Sequence, residues 1–439
     1  MTKDMTSGST LRHIINFAVP LCMGMLFQQL YSMVDTMIVG KVLGVQPLAG
    51  VGATGSLNFM IIWFCLGICN GFSIPIAQAF GANKEVELRR YVANSTWLCV
   101  FFSIVITFFV CIFTRNMLVL LKTPEDIFEY AYIYILIIFL GIPCTFLYNF
   151  LAGVARALGD SKTPLMFLIL SSVMNIVLDF ILMIPIPLGV AGAAIATVIS
   201  QGVSGVICLL YMKKKFPILK ANRDEWQMRG NYMKRLCAIG VPMGLQYSIT
   251  AIGSLVITAA VNVLGATAVA GVTAAQKINN LITCPLESLG QTMAPYTGQN
   301  IGAGKKERVS DGVKKASICG FVWSAICIPI VLLFGKPMTL LFLSEPNAEV
   351  VNYSFLFLLV STLGYCLLTL VGTVRFSIQG MGYSGFAMTA GVLEMTARTI
   401  AGVVLAPLMG YMGICLSNVL AWIFADAFLL PAFRHCIKK

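Results

Sequence analysis

The stretch INFAVPLCMGMLFQQLYSMVDTMIVG, residues 15–40, is long enough to cross a lipid bilayer as one helix and contains a single ionisable residue, Asp35. About 20 predominantly apolar residues are enough to span the hydrocarbon core. A carboxylate inside such a helix costs at least about 2.5 kcal/mol at the bilayer centre, so by default it indicates function. The stretch therefore predicts a membrane protein and marks Asp35 as a residue kept for its chemistry.

The composition extends this prediction to the whole chain. Hydrophobic residues make up 58% of the sequence and charged residues 11%, whereas a soluble domain has about 25% charged residues. Mean hydropathy is +0.87. The start of the chain is polar and leads into a span too long for a signal peptide, so we expect no cleaved leader. The two His lie at opposite ends and the 14 Cys are scattered, which argues against a zinc site.

Apolar segments recur along the chain, and each is long enough, or nearly so, to cross the membrane as a helix. We predict twelve of them, at about 14–40, 53–80, 92–114, 130–152, 165–184, 190–212, 236–261, 268–296, 316–335, 352–374, 386–406 and 412–433. By this prediction, 24 of the 30 Lys and Arg fall on one side of the membrane. The positive-inside rule then places both termini in the cytoplasm. We expect these basic loops to contact lipid headgroups, and nucleic acid need not be invoked.

The two halves of the chain resemble each other at a spacing near 221 residues. Val19-Pro20 matches Val241-Pro242, and IPIAQAFGANKE from residue 74 matches APYTGQNIGAGKKE from residue 294. Six spans per half make parallel repeats, related by a pseudo-two-fold axis along the membrane normal. The predicted fold is all-α, with six-helix lobes at 1–212 and 236–439 joined by a basic cytoplasmic linker at 213–235. Such lobes are typical of alternating-access transport.

Several motifs identify a family resemblance across essentially the whole chain. They are DMTSGSTL (4–11), QQLYSMVDTMIVG (28–40), AQAFGAN (77–83) with its counterpart GQNIGAG (298–304), and ARALGDSKTP (155–164). With these motifs the sequence resembles the MATE family, the multidrug and toxic compound extrusion transporters. The DinF-like branch is the most similar, because the intramembrane acids lie in the N-terminal lobe. The NorM-like branch has acids in helices 7 and 10, where this chain has no match.

A set of oxygen-bearing side chains accompanies Asp35. Asn175 and Asp179 are four residues apart, hence on one helix face, and Thr197 lies in the next span. Two carboxylates, an amide oxygen and a hydroxyl suit Na⁺ or a proton pair. The resemblance implies that these four residues form the cation site of the N-terminal lobe. The alternative is that they only form hydrogen bonds between helices.

Other polar and flexible residues are candidates for the substrate cavity and for hinges. Pro20 and Pro242 can bend the first helix of each half. Glu394 and Arg398 are four apart, so they form either a structural ion pair or a polar patch in a drug cavity. A larger group surrounds Asp35 in sequence or offers a charge to a cationic drug: Phe27, Gln28, Tyr31, Met33, Met37 and Glu287.

These observations predict a bacterial inner-membrane efflux antiporter, multi-pass and monomeric. It exports amphipathic, often cationic organic compounds in exchange for Na⁺ or H⁺, needs no cofactor, and is not an enzyme. A lipid flippase is the alternative within transport, although its cavity should be rich in basic residues and only Lys277 and Arg398 lie clearly within spans. An integral-membrane transferase would need clustered Asp or His motifs at the membrane surface, and the sequence has none.

Overall fold

The computed structural model describes residues 3–342 and 347–438, and over these ranges the chain is helical with no β-strand. Apolar side chains favour helices in a bilayer because a helix satisfies its own backbone hydrogen bonds. The N-terminal half contains α1 Thr10–Leu43, α2 Val45–Ala53, α3 Gly55–Gly81, α4 Glu85–Leu120, α5 Glu125–Leu140, α6 Ile142–Ala157, α7 Lys162–Met183 and α8 Val190–Lys215.

The C-terminal half repeats this order. It contains α9 Gly230–Val263, α10 Ala266–Gly302, α11 Lys306–Leu340, α12 Ala348–Leu363, α13 Tyr365–Gly380, α14 Ser384–Ile400, α15 Ala406–Met409 and α16 Tyr411–Lys438. A π-helical turn, Ala401–Leu405, joins α14 to α15 without interrupting the span. Within the described residues, nine helices are long and apolar enough to cross a membrane, α14 to α15 counting as one.

Two further spans are bent in the middle. The pairs α5–α6 and α12–α13 bend by 48° and 53°, at Gly141 and Gly364. A Cβ at Gly141 would lie 2.3 Å from Val198, and one at Gly364 would lie 2.9 Å from Val419, so each bend packs directly on a neighbouring helix. The twelfth predicted span is α10, which has 37 residues but is too polar to meet the same criterion. The prediction of an all-helical, twelve-span membrane protein is confirmed.

The backbone reproduces the internal repeat. Gly44 and Gly265, which precede α2 and α10, have φ angles of 90° and 96°. Gly189 and Gly410, which precede α8 and α16, both have a φ of 59°. These left-handed conformations favour glycine, which has no Cβ to clash. Equivalent turns at a constant spacing of 221 residues show that the two halves share one chain path.

The helices form two compact units whose ends differ from the predicted lobe boundaries. Unit 1 contains Lys3, Asp4 and Met23–Gly244, and unit 2 contains Met5–Cys22 and the chain from Leu245 onward. The first part of α1 therefore belongs to unit 2, and the first part of α9 belongs to unit 1. The lobes 1–212 and 236–439 remain a prediction about functional units, while the packing divides α1 and α9 partway along their length.

Two glutamines of the repeated motif hold these exchanged segments. In unit 1, Arg235 of α9 donates to Gln78 Oε1 at 2.6 Å and to the Tyr91 hydroxyl at 3.1 Å. In unit 2, the backbone N–H of Met5 donates to Gln299 Oε1 at 2.9 Å. Since both glutamines are buried, these hydrogen bonds are shielded from water and anchor the start of each exchanged helix.

The basic linker is a folded part of unit 1 rather than a free loop. Two short 3₁₀ turns, Pro217–Leu219 and Arg223–Trp226, follow α8. Glu225 is 4% exposed and accepts two hydrogen bonds of 2.9 Å from Arg89 on α4. Trp97 donates to the backbone oxygen of Trp226 at 3.1 Å. The linker is thus fastened to α4, while contact of its basic side chains with lipid remains a prediction.

Candidate functional site

Three helices of unit 1, α1, α7 and α8, bring the four predicted cation-binding side chains together. Asn175 and Asp179 occupy one face of α7, and α8 returns against it after a short connection. Gly192 permits this close approach, because a Cβ there would lie 2.8 Å from the backbone oxygen of Leu182. The contact places Thr197 beside Asn175 at the level of the acid on α1.

The Asn175 amide links the neutral and acidic members of the site. As placed, its Nδ2 lies 3.2 Å from Thr197 Oγ1. Turning the amide over satisfies both of its ends: the nitrogen then donates to Asp179 Oδ2 at 3.0 Å, and the oxygen accepts from the backbone N–H of Thr197 at 3.2 Å. We adopt the turned orientation because buried amides are normally satisfied at both ends.

The two acids share one site and have no basic partner in the part of the chain that the structure describes. Their carboxyl groups interact electrostatically, and Asp179 is fully buried. Oδ1 of Asp35 and Oδ1 of Asp179 lack hydrogen-bond partners, and neither acid belongs to an ion pair among the described residues. Two carboxylates at about 4 Å repel by about 4 kcal/mol at an effective dielectric constant of 20. The pair therefore requires a proton or a cation.

The donor set fits a hard monovalent cation better than a transition metal. It offers two carboxylates, the Asn175 amide oxygen and the Thr197 hydroxyl, all oxygen ligands of the kind that Na⁺ and similar hard ions take. Within the described residues there is no cluster of three or more His, Cys, Asp or Glu side chains able to hold a metal ion. The unpartnered carboxylate oxygens are the ones left free to bind a proton or Na⁺.

Two tyrosines complete the surroundings of the acids. Tyr31, predicted as a drug-cavity residue, interacts electrostatically with Asp35 and Asp179. Tyr134 of α5 is 9% exposed and interacts electrostatically with Asp35 and Asp179. Tyr134 was not predicted, because it lies in an apolar run that contains two other tyrosines, Tyr130 and Tyr132.

A cavity of about 100 Å³ lies within unit 1 next to Tyr31. Gln28 also lines it, together with uncharged polar side chains of α6, α7 and α8: Thr145, Asn149, Ser171, Ser172, Ser200 and Gln201. Phe27 and Met37 are 38% and 52% exposed, and Met33 is partly buried. Contact of these five predicted residues with a drug remains a prediction.

Unit 2 holds a second buried charge cluster, and here one sequence-based placement is wrong. The tenth predicted span ends at residue 374 and so leaves Arg375 in the following loop, but Arg375 lies within α13 at 8% exposed and pairs with Glu394. Arg398 lies 3.7 Å from the other oxygen of Glu394. Both Glu394 and Arg398 are buried, which favours the structural ion pair over the drug-cavity patch. Val374 and Phe376, on either side of Arg375, belong to the same helix, so the span continues past the arginine.

The structure gives the positions of Glu287, Pro20 and Pro242, and their roles remain predictions. Glu287 lies on an exposed face of α10. Pro20 and Pro242 lie inside the continuous helices α1 and α9. Each helix passes from one compact unit to the other two residues after its proline, at Cys22 and at Gly244. This position is where a hinge would be needed, and the hinge itself remains a prediction.

Comparisons with known proteins agree with this architecture. The MatE family model matches residues 20–181 and 242–408, once in each half. The probable multidrug resistance protein YpnP of Bacillus subtilis is 30% identical over 355 residues, covering 80% of this chain and 79% of that protein. The multidrug export protein MepA of Staphylococcus haemolyticus is 23% identical, covering 94% of this chain and 91% of MepA.

Solved structures show the same fold. A MATE transporter in complex with MaL6 superposes with a TM-score of 0.92 at 21% identity, covering 99% of both chains. An outward-facing multidrug resistance MATE transporter of the MOP superfamily gives a TM-score of 0.90 at 21% identity, covering 99% of this chain and 97% of that one. The family match in both halves, the relatives and the fold together establish that this chain belongs to the MatE (MATE) family of membrane transporters, whose members are not enzymes.

Proposed function

We propose that the protein is a cation-coupled multidrug efflux antiporter, which exports amphipathic organic compounds in exchange for inward-moving Na⁺ or H⁺. The observation that carries the proposal is the pair Asp35 and Asp179, two electrostatically interacting carboxyls with unpartnered oxygens and no counter-charge among the described residues. Several relatives are named multidrug resistance or export proteins, which supports drugs as the exported compounds.

The residues suggest how a cation would couple to movement. Asp35 belongs to α1, whereas Asn175, Asp179 and Thr197 are held on the α7–α8 hairpin. A cation or proton bound between them joins α1 to the hairpin. When it leaves, repulsion between the two carboxylates favours separation of α1 from α7.

Pro20 supports this motion because it removes a hydrogen bond inside α1. Bending of α1 would change the surroundings of Gln28 and Tyr31, which line the cavity in unit 1. Coupling then requires that cation binding favour the conformation that releases the drug. Alternating access of the two lobes is the form of transport that the repeat favours.

The flippase alternative gains no support of its own. A lipid headgroup site should be rich in unpaired basic side chains, yet Arg375 and Arg398 both pair with Glu394. Of these three bases, only Lys277 has no ion pair among the described residues, and a single lysine is not a basic cavity. We further propose a location in the bacterial inner membrane with both termini cytoplasmic, a monomeric state, and lipid contact for the basic loops. The orientation of the termini and the lipid contact follow from the distribution of Lys and Arg in the sequence.

The test is ethidium transport in proteoliposomes containing the full-length protein. We expect lumenal Na⁺, or an acidic lumen imposed separately, to drive ethidium uptake through inside-out transporter. Asp35→Asn should abolish gradient-driven uptake, because asparagine fills the same space but cannot become anionic. Uptake that ignores both gradients in the wild type, or that persists at the wild-type rate in a normally inserted Asp35→Asn variant, would contradict the proposal.

A further inference from the structure

One face of α10 carries exposed polar residues along much of its length. Thr273, Asn280 and Glu287 follow one another at seven-residue intervals, which brings them onto one side of a helix. Gln276 and Lys277 flank this line, and all five side chains are exposed. We call these five residues the α10 stripe. The stripe contributes to the polarity of α10, which does not meet the composition of an ordinary membrane span.

The rotation of α10 about its axis is fixed by contacts on other sides of the helix. The Tyr365 hydroxyl donates to Asn279 Oδ1 at 2.7 Å, and Trp323 Nε1 donates to the backbone oxygen of Ile282 at 3.0 Å. These two hydrogen bonds hold α10 against α13 and α11. The exposed direction of the α10 stripe is therefore set by the packing of unit 2.

The two charges of the stripe have no counter-ion within residues 3–342 and 347–438. Neither Lys277 nor Glu287 belongs to an ion pair among the described residues. Lys277 Nζ lies 5.9 Å from the centre of the Phe342 ring, a contact that leaves its donors free. Charged side chains at membrane depth face a protein interior or water rather than lipid. Because both are exposed, we infer that the stripe faces water rather than lipid.

The fold does not require this polarity. At positions 221 residues earlier, the other repeat has Gly52, Gly55, Ser56, Phe59 and Leu66 in place of the five stripe residues. Phe59 stacks with Trp63 at a ring-centroid distance of 5.0 Å. The same helix position thus tolerates glycine and apolar side chains. The charges of the α10 stripe are therefore a property of this surface and not of the architecture.

We propose that the α10 stripe is a binding site for extended zwitterionic amphiphiles, with a cationic amine at Glu287 and a carboxylate or similar anion at Lys277. Ten residues separate the two charges, which corresponds to about 15 Å along the helix axis. Asn280 lies between Lys277 and Glu287 in the sequence, and Gln276 is adjacent to Lys277. Their amide groups offer donors and acceptors to the uncharged part of the ligand. The site specifies a substrate class for the proposed efflux function, on which this inference rests.

The experiment measures binding rather than transport, so that it is independent of cation coupling. The full-length protein in phosphatidylglycerol nanodiscs is titrated with 12-aminododecanoate, dodecylamine, dodecanoate and the short zwitterion 6-aminohexanoate. We expect 12-aminododecanoate to bind at least about tenfold more tightly than either singly charged chain, because each charged contact contributes on the order of a factor of ten. The short zwitterion, which cannot span both charges, should bind weakly.

Variants test which residue binds each charged end of the ligand. Lys277→Gln should weaken 12-aminododecanoate about tenfold and leave dodecylamine unchanged, while Glu287→Gln should weaken both. The matched control is Lys336→Gln, which removes a lysine of α11 that also lies over an aromatic ring, at 5.4 Å from the centre of Phe355. This variant should bind every probe as the wild type does. The exchange of both charges, Lys277→Glu with Glu287→Lys, should restore binding of the zwitterion.

Three outcomes would overturn the inference. The first is a wild type that binds 12-aminododecanoate no more tightly than dodecylamine. The second is a Lys277→Gln variant that loses both probes equally. The third is loss of zwitterion binding when phosphatidylethanolamine replaces phosphatidylglycerol, since the site would then belong to lipid headgroups. If binding follows the prediction but imposed gradients drive no ethidium uptake, the binding site at the α10 stripe is supported and the proposed cation coupling is wrong.

Discussion

Each compact unit buries a cluster of ionisable side chains within its membrane-spanning helices, and the two clusters differ in their balance of acidic and basic residues. In unit 1, Asp35 and Asp179 lie together with no basic partner among the described residues. In unit 2, Glu394 binds both Arg375 and Arg398, and Asp426 lies nearby. Two arginines and two acids can neutralise each other, whereas two acids alone cannot.

This difference indicates which cluster depends on a proton or cation from outside the protein. A buried charge must be paired, hydrated or neutralised. The cluster of unit 2 supplies its own opposite charges, so its ionic balance can persist through a transport cycle. The acid pair of unit 1 can be balanced only by H⁺ or by a cation such as Na⁺. The following predictions test this contrast, in order of decreasing effect.

Asp35→Asn should have the largest effect, a loss of gradient-driven transport. The variant leaves Asp179 as a single acid and removes the carboxylate carried by α1. Binding of a cation can then no longer pull α1 toward the α7–α8 hairpin. Ethidium uptake in proteoliposomes measures this effect, with membrane insertion checked by the amount of protein in the vesicles.

Asp179→Asn should lower the apparent affinity for the coupling cation at least about tenfold, because one of two carboxylate ligands is lost. The readout is the cation concentration that gives half-maximal ethidium uptake. Glu394→Gln is a poor comparison, since it would remove the acid that pairs with both Arg375 and Arg398 and destabilise the protein by about 3–5 kcal/mol. An unchanged half-maximal concentration in Asp179→Asn would remove this residue from the site.

Pro20→Ala should have a moderate effect on rate and none on cation affinity. Alanine restores a hydrogen bond inside α1 and stiffens the helix near the point where the chain passes between units. We expect ethidium turnover to fall about threefold, at an unchanged half-maximal cation concentration. A shift of the affinity with an unchanged maximal rate would place Pro20 in the binding site instead of a hinge.

Asp160→Asn should leave transport nearly unchanged and lower stability. Asp160 is also a buried acid of unit 1, but it has a counter-ion: Lys215 Nζ lies 2.7 Å from its Oδ2, and Thr163 donates to the same oxygen at 2.6 Å. Loss of this charged hydrogen bond should reduce the free energy of unfolding by about 1–3 kcal/mol. Thermal unfolding of the purified variant measures the loss, and normal cation dependence of its transport is the control for Asp35→Asn.

The same residue gives a pH dependence with a defined sign. Burial raises the pKa of Asp160, but hydrogen bonds from Lys215 and Thr163 outweigh it and hold the pKa below 3.8. A carboxyl with a depressed pKa stabilises the fold above its unfolded pKa and loses that contribution as the pH falls through the lowered value. The stability difference between the wild type and Asp160→Asn should therefore shrink below about pH 4. A difference that grows on acidification would contradict this reading.

The sequence predicts most of the architecture because hydrophobicity and repetition are local properties. The span lengths, the repeat offset and the i, i+4 relation of Asn175 and Asp179 are visible in one dimension. The contact of Asp35 with Asp179 required the family resemblance, since no spacing rule connects α1 with α7. Tyr134 was missed because its partners are 99 and 45 residues away in the chain, at Asp35 and Asp179.

Other features depend on packing that no linear pattern encodes. Arg375 looked like a loop residue because an isolated arginine after an apolar run is typical of a helix end. In the folded unit, Glu394 and α16 surround it, which offsets the cost of burying its charge. The division of α1 and α9 between the compact units likewise depends on hydrogen bonds to Gln78 and Gln299. Such contacts join segments more than 150 residues apart.

The central claim is that the coupling cation binds in unit 1 and not at the charge cluster of unit 2. The most direct measurement compares Asp179→Asn with Asp426→Asn, since each removes a buried carboxylate that has an unpartnered oxygen. Ethidium uptake is recorded for both variants across a matrix of lumenal pH and Na⁺ concentration. The account predicts that Asp179→Asn shifts or abolishes the cation dependence and that Asp426→Asn retains it. Loss of the dependence in Asp426→Asn, with its retention in Asp179→Asn, would contradict the account.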